Sequence, residues 1–455
     1  MTREIATVRS RCRFTRITGK AVKKNTTLKA LAATASFMLC AIAAAATAEP
    51  PVQSVLALAK KEKPALLDTL KELTAIESGS REPEELDRIA DVLAAKLRAL
   101  GGKVDLIEPT EATTHRLSDT PEKIGKMVRA TFTGTGTKKI MLMAHMDTVY
   151  PRGMLAQQPY RIDGERAYGL GIADNRQGIA TILHTLAMLR AMNFRDYGTI
   201  TVFINADEEI GSPGARYHHI RLGAEHDAVM SFEGGGTPQD DRVRLATSGH
   251  ALALLNVRGR ASHAGSAPER GVNSLDELAF QILQMRDLSD PATGVKVNWT
   301  LASAGIVSNM IPPRAQASAD VRVARIADYD GIEARLRERV KKKLLPESEV
   351  ELVFERRFPP LEPKPSSRAL SKHAQAIYRE LGLNLRILED SAGGFTDAAN
   401  ASLKTSAPVI EGFGLRGFGS HTTNAEYILI DSIEPRLYLA ARMIMDVARG
   451  LAPLK

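Results

Sequence analysis

The chain has 455 residues, of which 44% are hydrophobic and 25% charged, with a formal net charge of +8. This balance is that of a globular protein long enough for two domains. Residues 1–48 hold nine basic side chains and one acidic one, and removing them from the 61 basic and 53 acidic side chains leaves 52 of each. Because the remaining body is neutral and has no basic stripe, we expect no nucleic-acid partner.

The first 48 residues have the layout of a secretory signal peptide. A basic region precedes an apolar stretch at residues 31–46, and the small residues 46–48 come just before Glu49. The apolar stretch is short for a membrane-spanning helix, so we favour export to the periplasm or the medium over a membrane anchor. Cys12 and Cys40 both lie in this leader. Any metal in the mature protein must therefore be bound by histidines and carboxylates.

Helical and strand patterns alternate after the leader. Leucines and isoleucines at helical spacing over residues 86–100 end at Gly101 and Gly102, and residues 179–189 repeat the pattern. Short apolar runs predict strands at residues 128–132, 140–144, 199–205 and 228–232. Alternating strands and helices predict an α/β fold with a mainly parallel sheet and helices on both faces.

The pattern changes near residue 245. Two strand-like runs at residues 251–257 and 317–323 accompany two helical runs near residues 274–288 and 332–344. We predict an inserted α+β domain at residues 247–361, flanked by α/β segments at residues 49–246 and 362–455. A proline-rich linker at residues 359–365 leads into the last segment, which ends in an amphipathic helix near residues 435–448.

The sequence His145-Met146-Asp147 follows the apolar run 140–144. The carboxyl ends of parallel strands are where ligands bind in open α/β sheets, so the imidazole of His145 is expected at a reactive edge. Asp147 could bond the other ring nitrogen and orient a metal-bound histidine. An ordinary histidine at a strand end is the alternative for this motif taken alone.

Four further segments place acids or a histidine at strand ends or in glycine-rich turns. They are the turn with Asp174, the strand end with Asp207, Glu208 and Glu209, the strand end with Glu233, and the glycine-rich loop with His421. Each alone is typical of a solvated or structural group. Together they supply enough nitrogen and oxygen ligands for two divalent cations, with Zn²⁺ the expected metal.

The sequence resembles the co-catalytic dizinc metallopeptidases, a family that includes glutamate carboxypeptidase, aminoacylase and succinyl-diaminopimelate desuccinylase. The resemblance to the glutamate carboxypeptidase branch rests on MAHMDTVY, GLGIAD, DYGTITV, DEEIGS, SFE, GRASHAG, GVN, SNMIP, ADVR, GGFTDA and PVIEGFGLRGFGSH. These motifs run from about residue 140 to the C-terminal region.

The resemblance implies a role for each matching residue. His145 and Glu233 would bind one metal ion, Glu209 and His421 the other, and Asp174 would bridge them. Asp147 would orient His145, and Glu208 would be the general base. A cis peptide after Asp174 is also implied.

The predicted insert carries the implied substrate-binding residues. His263 would stabilise the oxyanion in a partner subunit's site, so a homodimer is expected with the insert as dimerisation and lid domain. Asn309 and Arg322 would bind the substrate's free carboxylate. Arg356 is a weaker candidate for a second carboxylate contact, and its neighbour Arg357 fits equally well.

The resemblance predicts an exported dizinc hydrolase that cleaves a C-terminal amide bond and releases an amino acid, with glutamate from peptides or folate-like conjugates as the leading substrate. An aminoacylase or dipeptidase with another side-chain preference is the alternative of the same chemistry. A solute-binding protein with a structural metal is the alternative of another class. Phe395 replaces a glycine of the family's usual GGG, which leaves the side-chain preference open.

Overall fold

A computed structural model describes residues 50–391, 393–422 and 426–455. The predicted leader, with Cys12 and Cys40, lies outside these residues. The described chain forms nine α-helices: α1 (Gln53–Thr74), α2 (Pro83–Ala99), α3 (Gln177–Ala191), α4 (Arg216–Glu225), α5 (Ser274–Gln284), α6 (Asp328–Arg339), α7 (Pro365–Glu380), α8 (Asp397–Ser402) and α9 (Ile433–Ala448). No described helix combines the length and the apolar character needed to cross a bilayer.

The described residues also form seventeen strands in three sheets. The strands are β1 (Lys103–Ile107), β2 (Met127–Thr133), β3 (Lys139–His145), β4 (Arg161–Asp163), β5 (Arg166–Tyr168), β6 (Thr199–Asn205), β7 (Ala228–Ser231), β8 (Gly236–Thr237), β9 (Asp240–Arg244), β10 (Gly249–Arg258), β11 (Lys296–Ala304), β12 (Arg314–Val323), β13 (Glu349–Phe358), β14 (Leu385–Leu388), β15 (Val409–Glu411), β16 (Gly417–Phe418) and β17 (Tyr427–Leu429).

The largest sheet has the order β1-β2-β6-β3-β7-β15-β9-β14, with β8 paired to β9. Its central strands β6, β3, β7 and β15 run parallel, whereas β1 and β2 add antiparallel pairs at one edge and β15 meets β9 in antiparallel fashion. The predicted α/β fold with a mainly parallel sheet is confirmed.

Helices cover both faces of this sheet, and strand β3 shows why its sequence is apolar throughout. Ile140 and Leu142 belong to a core that includes residues of α1, α3 and α9. Met141 and Met143 point the other way, into a core shared with α4 and α8. A strand buried on both faces reads as a continuous apolar run, and it delivers His145 to its carboxyl end.

A four-stranded antiparallel sheet, ordered β11-β12-β10-β13, packs with α5 and α6 around a hydrophobic cluster of its own. The sequence patterns predicted β10, β12, α5 and α6, but they did not predict β11 and β13. Most residues of β11 are exposed, and charged residues interrupt β13, so neither shows a clear apolar period. These strands lie inside the predicted insert, but residues 48–455 form one compact unit. The division into domains stays a prediction.

The side chain of Arg436, on α9, is completely buried behind the carboxyl ends of β7 and β15. Its guanidinium donates to the carboxylate of Asp241 at 2.9 and 3.0 Å and to the carbonyl oxygen of Gly412 at 2.9 Å. It also donates to the carbonyl oxygen of Gly235. One cation thus ties the final helix to the backbone beside Glu233 and Glu411.

Arg436→Met should lower the free energy of unfolding by about 3–5 kcal/mol, because it leaves the largely buried carboxylate of Asp241 without its main cationic partner. Urea denaturation of the purified protein measures this. The matched control is Arg449→Met at the end of the same helix, where the ion pair with Asp196 is about half exposed and should contribute about 1 kcal/mol or less. Equal losses in the two variants would contradict a special role for Arg436.

Candidate active site

Five predicted ligands meet at the carboxyl edge of the large sheet. His145 ends β3, Glu209 lies in a short 3₁₀ turn at Glu208–Ile210 after β6, and Glu233 follows β7. Asp174 lies in the turn Ile172–Arg176 before α3, and His421 follows β16. Parallel strands place their carboxyl ends at one edge, so segments far apart in sequence converge there.

Asp174 lies between the two histidines. The Nε2 atom of His145 is 3.0 Å from Oδ1 of Asp174 and 3.2 Å from Oε1 of Glu233. The Nε2 atom of His421 is 3.4 Å from Oδ2 of Asp174 and 3.2 Å from Oε2 of Glu209. Each carboxylate oxygen of Asp174 therefore faces one histidine, and the Nε2 atom of each histidine has one further carboxylate beside it.

Asp147 orients both His145 and the turn that carries Glu208 and Glu209. It is completely buried, and Nδ1 of His145 lies 3.2 Å from its carbonyl oxygen and 3.3 Å from its Oδ1. Its carboxylate accepts hydrogen bonds from the backbone N–H groups of Glu208 and Glu209, both at 3.1 Å, and from the hydroxyl of Ser80 at 2.7 Å. One side chain thus fixes both the His145 ring and the turn that carries Glu208 and Glu209.

Glu426 holds the turn that carries Asp174, and the sequence analysis missed it. Its carboxylate accepts hydrogen bonds from the backbone N–H groups of Gly171, Ala173 and Asp174, at 3.1, 2.8 and 3.0 Å, and from the hydroxyl of Tyr150 at 2.7 Å. In the sequence Glu426 is a lone acid in a loop, and its position five residues after His421 was its only signal.

The peptide bond between Asp174 and Asn175 is cis, as the resemblance implied. Asn175 is buried, and its side-chain amide donates to Oε1 of Glu233 at 2.9 Å. The turn that carries Asp174 is therefore also linked directly to the carboxylate at the end of β7.

The group has a strongly negative potential. Hydrogen bonds to Asp174 and Glu209 raise the pKa of His421 to about 10. Burial and the charge of Asp174 raise the pKa of Glu209 to about 7. Burial also raises the pKa of Glu208 well above its usual range, with the neighbouring Glu209 adding to the effect. Such a potential attracts cations.

A cavity of about 440 Å³ opens onto this group. Its described lining includes five carboxylates and one side chain of the Lys or Arg type, Arg244; the carboxylates are Asp174, Glu208, Glu209, Glu233 and Glu411. Two divalent cations would bring such a cavity close to neutrality.

The distances between the ligand atoms and a carboxylate oxygen without a partner also fit a divalent cation. His145, Asp174 and Glu209 offer ligand atoms that all lie within 4.8 Å of one another. The Oε1 atom of Glu209 is buried and has no hydrogen-bond partner among the described residues. A buried carboxylate oxygen without a partner is costly unless a cation or another donor meets it. Imidazole nitrogens and carboxylate oxygens are ligands that Zn²⁺ accepts.

The four residues predicted in the insert are absent from the described cavity lining. His263 and Asn309 are exposed, and the segments that carry them pair through a bridge between His263 and Met310. Arg322 forms two contacts of 2.8 Å with Asp320 and donates to the carbonyl oxygen of Gly393 at 3.1 Å. Arg356 is paired with Asp330 and Glu333, so its donors face the surface. Their substrate roles stay predictions.

Phe395, where the family usually has glycine, lines the cavity. Its ring stacks on Phe358, with centroids 4.5 Å apart, and on His250 at 5.3 Å. The guanidinium of Arg322 lies 5.1 Å from the same ring. Phe395 therefore connects the cavity wall with the ends of β10 and β13 and with Arg322.

The sequence pattern of peptidase family M20/M25/M40 matches residues 141–446. The chain is 43% identical over 392 residues to "Carboxypeptidase G2" of Pseudomonas sp. (strain RS-16), covering 86% of this chain and 91% of that protein. It is 26% identical over 234 residues to "Acetylornithine deacetylase" of Proteus mirabilis, covering 50% of this chain and 56% of that protein.

Solved structures show the same fold. A tripeptidase from Staphylococcus aureus superposes with a TM-score of 0.70 at 22% identity, covering 85% of this chain and 99% of that one. A metallo-carboxypeptidase of the M20 family from Sulfolobus solfataricus superposes with a TM-score of 0.67 at 17% identity, covering 84% and 99%.

Asp147→Asn should weaken zinc binding by about 10- to 100-fold, because an amide cannot accept all the hydrogen bonds that orient His145 and the Glu208 turn. Competition with a chromogenic chelator measures the affinity, and circular dichroism checks the fold. Asp105→Asn, at a partly exposed ion pair with Arg129, is the control and should bind zinc as the parent does. Unchanged affinity in Asp147→Asn would refute the orienting role.

Proposed function

From the premise that the chain belongs to peptidase family M20/M25/M40, we propose that it is a zinc-dependent carboxypeptidase that hydrolyses the amide bond of a C-terminal amino acid. The similarity to Carboxypeptidase G2 across most of both chains supports carboxypeptidase chemistry. The observation that carries the proposal is the position of Asp174, with one carboxylate oxygen facing His145 and the other facing His421.

We propose two zinc ions per subunit. His145 and Glu233 would hold one ion, Glu209 and His421 the other, and Asp174 would bridge them. Two such ions would acidify a water molecule and polarise the scissile carbonyl group. The pairing of each histidine with a different glutamate supports this division.

Glu208 is the proposed general base. It lines the cavity beside Glu209, and the hydrogen bond from its backbone N–H to Asp147 fixes its position. Its carboxylate would take a proton from the attacking water and return it to the leaving amine. Because adjacent residues of a 3₁₀ turn point about 120° apart, Glu209 can bind metal while Glu208 faces the reacting water.

A substrate with a free carboxylate would be recognised by Asn309 and Arg322, and His263 of the partner subunit would stabilise the oxyanion. Loss of an oxyanion donor costs about 10²- to 10³-fold in rate. Glutamate is the proposed leaving amino acid. An aminoacylase or dipeptidase activity with another side-chain preference is the second candidate, favoured by the partial similarity to acetylornithine deacetylase.

We propose a homodimer that forms through the edge of the four-stranded sheet β11-β12-β10-β13. Strand β11 lies at one end of that sheet, and large apolar side chains on it and just after it are exposed: Leu301 at 71%, Ile306 at 85% and Val307 at 52%. Exposed apolar groups next to a strand edge favour pairing with a second chain. Asn309 lies in the same exposed stretch.

The proposed exported form lacks the leader. The charge and apolar pattern of residues 1–48 supports this, and the mature chain would begin near Glu49. Intact-mass measurement of the protein from a periplasmic extract should give a chain shortened by the leader. A full-length mass in that fraction, or recovery of the protein in the membrane fraction alone, would refute cleavage.

Glu208→Gln should leave the zinc content unchanged and lower kcat by about 10²- to 10⁴-fold, because it removes the base while keeping the shape of the side chain. Elemental analysis and amino-acid release from a panel of N-acyl amino acids measure the two effects. Glu225→Gln, at an exposed position of α4, is the control and should retain activity. Parental turnover by Glu208→Gln would rule out this base.

A further inference from the structure

Arg244 is the one described Lys or Arg side chain in the lining of the cavity, and the roles proposed above do not use it. It ends strand β9, and its guanidinium donates to the carbonyl oxygen of Gly234 at 2.9 Å, next to Glu233. The guanidinium therefore lies beside the proposed metal site, on the wall formed by the large sheet.

Nearby arginines differ from Arg244 in their pairing. Arg242 is paired with Asp240, Arg436 with Asp241 and Arg322 with Asp320. No described carboxylate lies within ion-pair distance of Arg244. Burial lowers the pKa of Arg244, and the charges of Glu411 and Glu233 oppose that shift. A partly buried guanidinium that lines a cavity and has no carboxylate within ion-pair distance favours a carboxylate ligand.

Glu411 lies directly opposite Arg244 in the pairing of β15 with β9. Its carboxylate instead accepts a hydrogen bond from the hydroxyl of Thr396 at 2.8 Å. Thr396 is next to Phe395, and Arg322 lies against Phe395. Arg244, Glu411, Thr396 and Phe395 thus line the cavity together, and Arg322 lies next to them, against the Phe395 ring and outside the described lining.

From this arrangement we propose that Arg244 binds the side-chain carboxylate of the leaving amino acid and so selects acidic residues, glutamate above all. The inference rests on the proposed function. The α-carboxylate of the same residue would meet Arg322 and Asn309, the residues proposed above for that group, and Arg322 lies against Phe395 of the cavity lining. Glu411 accepts a hydrogen bond from Thr396 and lies beyond ion-pair distance of Arg244, so the guanidinium can pair with a substrate carboxylate.

The test compares N-acyl-L-glutamate with N-acyl-L-glutamine carrying the same acyl group, using the zinc-loaded protein. The two substrates have nearly the same shape and differ in side-chain charge. The parent protein should prefer the glutamate substrate. Arg244→Gln should lower kcat/KM for that substrate by about 10- to 100-fold and change the glutamine substrate little, because it removes a charge-assisted hydrogen bond. Arg244→Lys should retain part of the preference.

Arg242→Gln is the matched control. It makes the same change two residues earlier on β9, where the arginine is paired with Asp240, and it should leave the preference intact. Equal losses for both substrates in Arg244→Gln would overturn the inference, since they would mean that Arg244 binds the α-carboxylate or only balances Glu411. A parent protein without preference for glutamate would also overturn it, although the proposed hydrolysis would stand.

Calorimetry with free L-glutamate and L-glutamine separates the inference from the proposed reaction. Arg244→Gln should lose about tenfold in affinity for L-glutamate and keep its affinity for L-glutamine. If the zinc-loaded parent cleaves no N-acyl amino acid, the proposed function fails, and this binding experiment still decides the role of Arg244. Equal affinities of the parent for the two amino acids would refute it.

Discussion

Five carboxylates line a single cavity, and like charges at this density repel one another unless cations lie between them. The carboxylate of Asp174 is at the centre of this group, with a histidine beside each of its oxygens. Much of the surrounding structure holds that geometry. Glu426 binds the turn that carries Asp174, Asp147 fixes His145 and the Glu208 turn, and Arg436 secures the backbone behind Glu233.

The parallel sheet explains why residues so far apart in sequence can meet. Strands β3, β6 and β7 are buried on both faces, so their sequences are mostly continuous apolar runs. Each strand ends at the same edge of the sheet. His145, Glu209 and Glu233 therefore lie close together there, although they are far apart in sequence. For this reason the fold class and the convergence of the five ligands could be predicted, and the family membership is confirmed by the match over residues 141–446.

Other features could not be predicted because the sequence patterns that would indicate them are weak. Strand β11 is largely exposed and β13 is interrupted by charges, so neither has a clear apolar period. Glu426 and Arg244 are single charged residues, and their importance comes from the backbone amides or the cavity that the fold brings to them. The roles of His263, Asn309, Arg322 and Arg356 came from resemblance and stay predictions. His263 and Asn309 are exposed, and the two arginines are paired with carboxylates of the same chain.

The central claim is that Asp174 bridges two cations, and anomalous diffraction at the zinc edge tests it most directly. Crystals of the zinc-loaded protein should show two peaks about 3.5–4 Å apart, one beside His145 and Glu233 and the other beside Glu209 and His421. Asp174 should contact both. A single peak, or two peaks that do not share Asp174, would contradict the account.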